Sequence, residues 1–151
     1  MPEIIISDTS CLILLSKINE FDILKKLYSD IFITDDVLKE YGLEIPDWIK
    51  IKSPSDKVKQ QILETQLGKG ESSSIALAIE LKKCVLILDD QKARKIAELL
   101  QLRITGTLAI LIKAKHQGHI KSFKNVLDKI KSSGFHISKS LELYALKEAG
   151  E

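Results

Sequence analysis

The stretch Ile4-Ile5-Ile6-Ser7-Asp8-Thr9-Ser10 decides the fold of this 151-residue chain. Three adjacent β-branched residues without helical spacing predict a short strand buried on both faces, as in the middle of a parallel sheet. The run stops at an acid. From Cys11 to Ile18 the apolar positions Leu12, Leu14, Leu15 and Ile18 predict a helix, with Thr9 or Ser10 suited to cap its start. Asp8 is thereby expected at the carboxyl end of a central strand, the edge of an open α/β sheet where loops form a crevice and ligands collect.

Outward from this stretch, strands and helices alternate. Phe21, Leu24, Leu27 and Tyr28 fall at helical spacing in a segment opened by Asn19 or Asp22, and Ile31 to Ile33 reads as a second strand. Thr34, Asp35 and Asp36 then cap a short helix that holds Val37, Leu38, Glu40 and Tyr41 and ends at Gly42. The alternation around Trp48, Ile49, Lys50, Ile51 and Lys52 predicts an edge strand. A polar helix with Val58, Ile62, Leu63 and Leu67 on one face follows, then a helix from Glu71 to Leu81 behind Gly68 and Gly70. Cys84 to Leu88 is the longest apolar run bounded by charges and predicts another central parallel strand, ending in Asp89 and Asp90. Beyond it come a helix with Ala93, Ile96, Ala97 and Leu99, a very short strand at Arg103-Ile104, and a helix from Leu108 to Ala114. Two amphipathic helices, 120–130 and 138–149, close the chain, and the last has Leu141, Leu143, Tyr144 and Leu146 to bury. The βα order calls for a parallel sheet covered on both faces.

Composition bounds the class. With 44% apolar residues, the chain suffices for one domain, expected over 1–151, with 119–151 as a C-terminal helical extension. No apolar stretch reaches the length of a membrane span, and the N-terminus lacks the pattern of a signal peptide, so a cytoplasmic protein with no membrane partner is expected. Cys11 and Cys84 sit in apolar sequence and read as reduced core thiols. Net charge is only +2, which does not announce a nucleic-acid binder. Its distribution is uneven: residues 1–100 carry 14 Lys/Arg against 17 Asp/Glu, and residues 101–151 carry 9 against 4.

The acids carry the chemistry. Singly, Asp8, Asp89, Asp90 and Glu71 all suit helix N-termini, as caps or through the dipole. Glu40 differs, because a negative charge in the last turn opposes its helix dipole and calls for a compensating partner such as a cation. Independent caps have no reason to converge, whereas a metal site must, and a hard divalent cation prefers carboxylate oxygens completed by water. No rival ligand set exists, since His116, His119 and His136 lie in the tail outside any metal-binding spacing.

The pattern Ile4-Ile5-Ile6-Ser7-Asp8-Thr9-Ser10 with Leu12, then Val37-Leu38-Lys39-Glu40, Gly70-Glu71-Ser72-Ser73, and Val85-Leu86-Ile87-Leu88-Asp89-Asp90 with Ala93 and Arg94, resembles the PIN-domain family. More narrowly, it is similar to small prokaryotic toxins of the VapC type, over residue 3 to about 115. The resemblance implies a three-layer α/β/α fold with a central, mostly parallel sheet of four to five short strands and Rossmann-like topology. It also implies a ribonuclease dependent on Mg²⁺ or Mn²⁺. By position Asp8, Glu40, Glu71 and Asp90 match the family's acids, with Asp89 an adjacent metal-ligand candidate and Ser10 the hydroxyl that supports the first acid. Where the family often has a further acid or Asn, this chain offers Thr105, Gly106 and Thr107, whose hydroxyls are expected to hold a water or a phosphate oxygen. Lys92, Arg94, Lys95 and Lys69 are the candidates for holding RNA. The resemblance further implies an antitoxin protein partner and a homodimer, with Ile13, Phe21 and Leu24 as a possible interface. Two alternatives stand beside it: a catalytically weak binding module of the same fold, and phosphotransfer through an aspartyl phosphate at Asp8.

Overall fold

A computed structural model describes residues 3–151. Five strands form one sheet: β1 (Ile4–Ile6), β2 (Asp30–Ile33), β3 (Ile49–Ile51), β4 (Val85–Ile87) and β5 (Ile104–Thr105). All four pairings are parallel, and the order across the sheet is β3-β2-β1-β4-β5. Parallel neighbours need crossovers, and helices supply them: α1 (Thr9–Lys17), α2 (Asp22–Leu27), α3 (Asp35–Tyr41), α4 (Lys57–Glu64), α5 (Lys69–Leu81) and α6 (Gln91–Leu99). Then α7 (Thr107–His116), α8 (Phe123–Ser132) and α9 (Lys139–Glu148) complete the chain. The three-layer α/β/α architecture expected from the sequence is the one observed.

The three isoleucines of β1 explain its central place. Side chains alternate across a strand, so Ile5 enters one core with Ile31, Ile33, Val85 and Ile87, while Ile6 enters the other with Leu86, Ile75 and Ala97. The first core is roofed by α1, α2, α7 and α8, and the second by α5 and α6. The strand order reverses between β1 and β4, where the chain winds outward in both directions. A crevice opens at such a point, outside the carboxyl ends of the strands.

Local signals position the helices that border this crevice. Thr34 caps α3, its hydroxyl accepting from Val37 N at 3.2 Å and bonding Ser73 Oγ at 2.6 Å. Gly42 ends α3 in the left-handed region at φ 72°. The buried face of α5 is built of small residues, Gly70, Ser72, Ser73, Ser74 and Ala76 among them, which let it lie close against α3 and α4. Glu80 on α5 accepts from Ser55 N, Ser55 Oγ and Asp56 N, tying down the loop ahead of α4, and these bonds hold its carboxyl below the usual range.

Several sequence expectations are corrected. Val58 and Ile62 of α4 are each 63% exposed, and the buried side chain of that helix is Gln60, whose amide donates to Asp36 Oδ2 at 2.8 Å. Leu63 and Leu67, the other half of the expected stripe, do pack on the second core, so the stripe is only half buried. The expected apolar face of the last helix is met in part: Leu146 packs against the first core beside buried Ala145 and Ala149, while Leu141, Leu143 and Tyr144 face outward. Leu24, considered for an interface, is wholly buried, and Phe21 packs edge-on against Tyr41 and Trp48, so both belong to the core. Asn19 ends α1 at positive φ and does not open α2. Cys11 and Cys84 are free and buried, as expected. Among the described residues no helix is long and apolar enough to cross a membrane.

Candidate metal centre

The chain leaves β1 through Ser7 and Asp8 in extended conformation, so Asp8 reaches the crevice at the point where β1 and β4 diverge. It caps α1 itself. Its Oδ1 accepts from Cys11 N at 2.9 Å, and its Oδ2 accepts from Asp89 N at 3.1 Å, which ties the end of β1 to the end of β4. The expectation that Thr9 or Ser10 caps this helix is corrected, because the acid sits one residue nearer the point where the N–H groups converge. Only 4% of Asp8 is exposed. Burial, then the neighbouring charges of Asp89 and Glu71, push its carboxyl up to about 7, against the two backbone N–H bonds.

The other acids lie around it in two groups. Asp89 is held by Thr107, whose N–H donates to Oδ1 at 2.9 Å and whose hydroxyl donates to Oδ2. Thr107 is buried, so its hydroxyl serves the acid, not a water or phosphate oxygen as the sequence reading expected. Thr105, half-buried in β5, accepts from Leu88 N through its carbonyl. On the other side, Asp90 caps α6, its Oδ2 accepting from Ala93 N at 2.9 Å. Glu71 sits in the first turn of α5, where burial and then the charges of Asp90 and Glu40 raise its pKa, while the Gly68 N–H lowers it. Asp89 thus faces Asp8, and Asp90 faces Glu71.

Glu40 needed a partner against its helix dipole, and two donors of the chain serve it. Its Oε1 accepts from the Thr9 hydroxyl at 2.6 Å and its Oε2 from Gly70 N at 3.0 Å, so one carboxylate offsets the positive end of α5. Gly68, the N-cap residue of α5, has no side chain to do this. The approach is so close that a Cβ at Gly70 would stand 2.2 Å from Glu40 Oε1. Thr9 and Gly70 escaped the sequence reading. The available signal was a glycine at the second position of a helix, where almost any other residue is a better helix former.

Asp8, Thr9, Ser10, Glu40, Gly68 and Glu71 line a small cavity of about 100 Å³. That is room for an ion with roughly two or three waters. Ser10 is exposed on its wall and makes no hydrogen bond to Asp8, so a supporting role for its hydroxyl has no contact behind it. Among the described residues no three His, Cys, Asp or Glu side chains are placed as a group that could hold a metal ion. The donor chemistry fits a hard cation that keeps much of its water, since Mg²⁺ is usually bound through one or two carboxylates. Of the basic candidates, Lys69, Lys92 and Lys95 are exposed at the starts of α5 and α6. Arg94 is half-buried and donates from Nη1 to Leu88 O at 2.6 Å, so part of its guanidinium braces the end of β4.

Two consequences are measurable. Because the folded pKa of Asp8 lies above its unfolded value, the folded state holds the proton more tightly; the resulting stability is full below about pH 4 and is lost as pH rises through about 7. In chelator-treated protein at pH 8, Asp8→Asn should therefore stabilise the fold, on the order of 2 kcal/mol by urea unfolding, with the gain shrinking towards pH 4. Gly70→Ala should displace Glu40 while changing stability by less than about 1 kcal/mol, because better helix propensity offsets the lost bonds. Its effect should appear instead as weaker Mn²⁺ binding by calorimetry.

Comparison with known proteins accords with this geometry. A model of the family described as PIN domain matches residues 4–151, which takes in the strands, the acids and the three C-terminal helices. A search of curated proteins returns no match. With an all-parallel five-stranded sheet, acids gathered at its carboxyl edge and the family match along nearly its whole length, the chain belongs to the PIN-domain family, a nuclease-type fold whose members generally use divalent metals.

Proposed function

We propose that the protein is a Mg²⁺- or Mn²⁺-dependent endoribonuclease, the toxin of a toxin–antitoxin pair. The observation that carries the nuclease reading is the buried carboxylate of Asp8, held between two strand ends, with the charges of Asp89 and Glu71 beside it. Of the candidate ligands, Asp8 and Glu71 line the small cavity and are the proposed direct holders of the ion; Asp90 and Asp89, outside its lining, add negative charge at the same edge, and Glu40 is a further acid on its wall. When bound, the ion offsets charge on the phosphodiester and lowers the pKa of an attacking water.

The chain's own residues have separable tasks on this reading. Asp8 is fixed by two backbone N–H groups and supplies negative charge where water is mostly excluded. Thr107 fixes the rotamer of Asp89, and Thr9 with Gly70 fixes Glu40. Lys69, Lys92 and Lys95 are free to meet phosphates, with Arg94 beside them. The toxin reading, the antitoxin and a homodimer rest on the resemblance to VapC-type proteins and are part of the same proposal.

Purified protein is expected to cleave single-stranded RNA in Mn²⁺ or Mg²⁺ and to lose that activity in chelator. Asp8→Asn should abolish cleavage while remaining folded by circular dichroism. Because the metal competes with a proton on Asp8, apparent Mn²⁺ affinity in calorimetry should rise from pH 6 to 7.5 in the wild type and stay nearly flat in Asp8→Asn. A wild type that cleaves no RNA across structured and unstructured substrates, yet binds them, would support the binding-module reading instead.

A further inference from the structure

The acidic edge continues into a groove whose far part has no role in the proposed chemistry. A cavity of about 670 Å³ runs from Asp89, Arg94 and Thr107 at one end to His136, Leu141 and Tyr144 at the other. The residues after Gly134 form the second wall, so the groove exists because α9 returns over the start of α7. Tyr144 is 60% exposed, although the other two tyrosines, Tyr28 and Tyr41, are buried. The ring of Phe135 is engaged by Lys17, whose Nζ lies 5.4 Å from its centroid; no such cation is placed over Tyr144 among the described residues. The larger cavity, of about 700 Å³, lies at the far end of α1 between Lys17 and Asp128 and shares no residue with the acids.

We propose that this groove is a nucleotide subsite, in which the base of a residue flanking the scissile phosphate stacks on Tyr144; the inference rests on the ribonuclease reading above. Three observations favour a base as occupant. The groove shares Ser10 with the acidic cavity and is walled by Asp89, so a chain whose phosphate lies at the acids passes directly into it. Tyr144 and His136 line it beside Leu141, and aromatic and imidazole rings are the groups on which unpaired bases stack. Its near wall carries Arg94, which spends one nitrogen on Leu88 O and keeps the rest of its guanidinium for a sugar-phosphate backbone. A base must leave its helix to enter, so the substrate class is single-stranded RNA.

The test is steady-state cleavage of a short single-stranded RNA by wild type, Tyr144→Ala, Tyr144→Phe and Leu141→Glu, each checked for folding by thermal unfolding and for mass by sedimentation. Tyr144→Ala should raise KM about tenfold, the scale of one lost base–aromatic stack, with kcat within about twofold. Tyr144→Phe should restore the wild-type KM, and Leu141→Glu, which sets a negative charge in the groove, should raise it. Active protein whose KM is unchanged in both Tyr144→Ala and Leu141→Glu overturns the subsite and leaves the ribonuclease reading standing. A changed sedimentation mass with unchanged KM assigns the face to a second copy of the chain and likewise overturns it. Wild-type protein that neither binds nor cleaves RNA overturns both.

Discussion

The rest of the structure depends on one constraint: a carboxylate is buried where two parallel strands part. Asp8 sits at the reversal of strand order, bridging β1 to β4 through the Asp89 N–H and starting α1 through the Cys11 N–H. Each bond is a structural contact of an ordinary kind. What is not ordinary is the surplus of negative charge around them, since burial and neighbouring acids raise the pKa of Asp8 and of Glu71. A fold tolerates such an arrangement at a cost in stability, and the cost is recovered if a cation binds.

The second tier of contacts explains why the acids stay in place. Asp89 is gripped by Thr107, Glu40 by Thr9 and Gly70, and Asp90 by the start of α6. Each acid therefore has a donor of its own, drawn from a helix N-terminus or from a residue beside one. Helix N-termini carry partial positive charge, and four helices, α1, α5, α6 and α7, point their favourable ends at the crevice. This supplies some compensation from the backbone, beside the one guanidinium, Arg94, that shares a cavity wall with Asp89. In place of the acid often found there in the family, Thr107 brings no charge of its own but orients one that is already present.

Much of this was legible in the sequence, for identifiable reasons. Ile4-Ile5-Ile6 and Val85-Leu86-Ile87-Leu88 are apolar at every position, a pattern that only a strand buried on both faces requires, and the acids that end them mark the carboxyl edge. Thr34 and Gly42 bounded α3 because their roles are local. The errors are of another kind. Val58, Ile62, Leu141 and Tyr144 belong to apolar stripes that are buried only in part, and tertiary contacts decide which part. The partners of Glu40 were illegible because one is a hydroxyl and the other a backbone N–H, each thirty or more residues away in the chain. The groove was invisible for the same reason: it is formed only when the tail folds back to the end of the sheet.

The central claim is that Asp8 is a buried, charge-crowded carboxyl awaiting a cation. Its titration can be followed directly by carbon-detected NMR of the side-chain carboxyl in isotopically labelled, metal-free protein, repeated in saturating Mg²⁺. The account predicts a midpoint near 7 without metal, moving down to the ordinary carboxylate range or below when Mg²⁺ is added. A midpoint near 4 in both conditions would contradict it, because Asp8 would then be a solvated helix cap and nothing more.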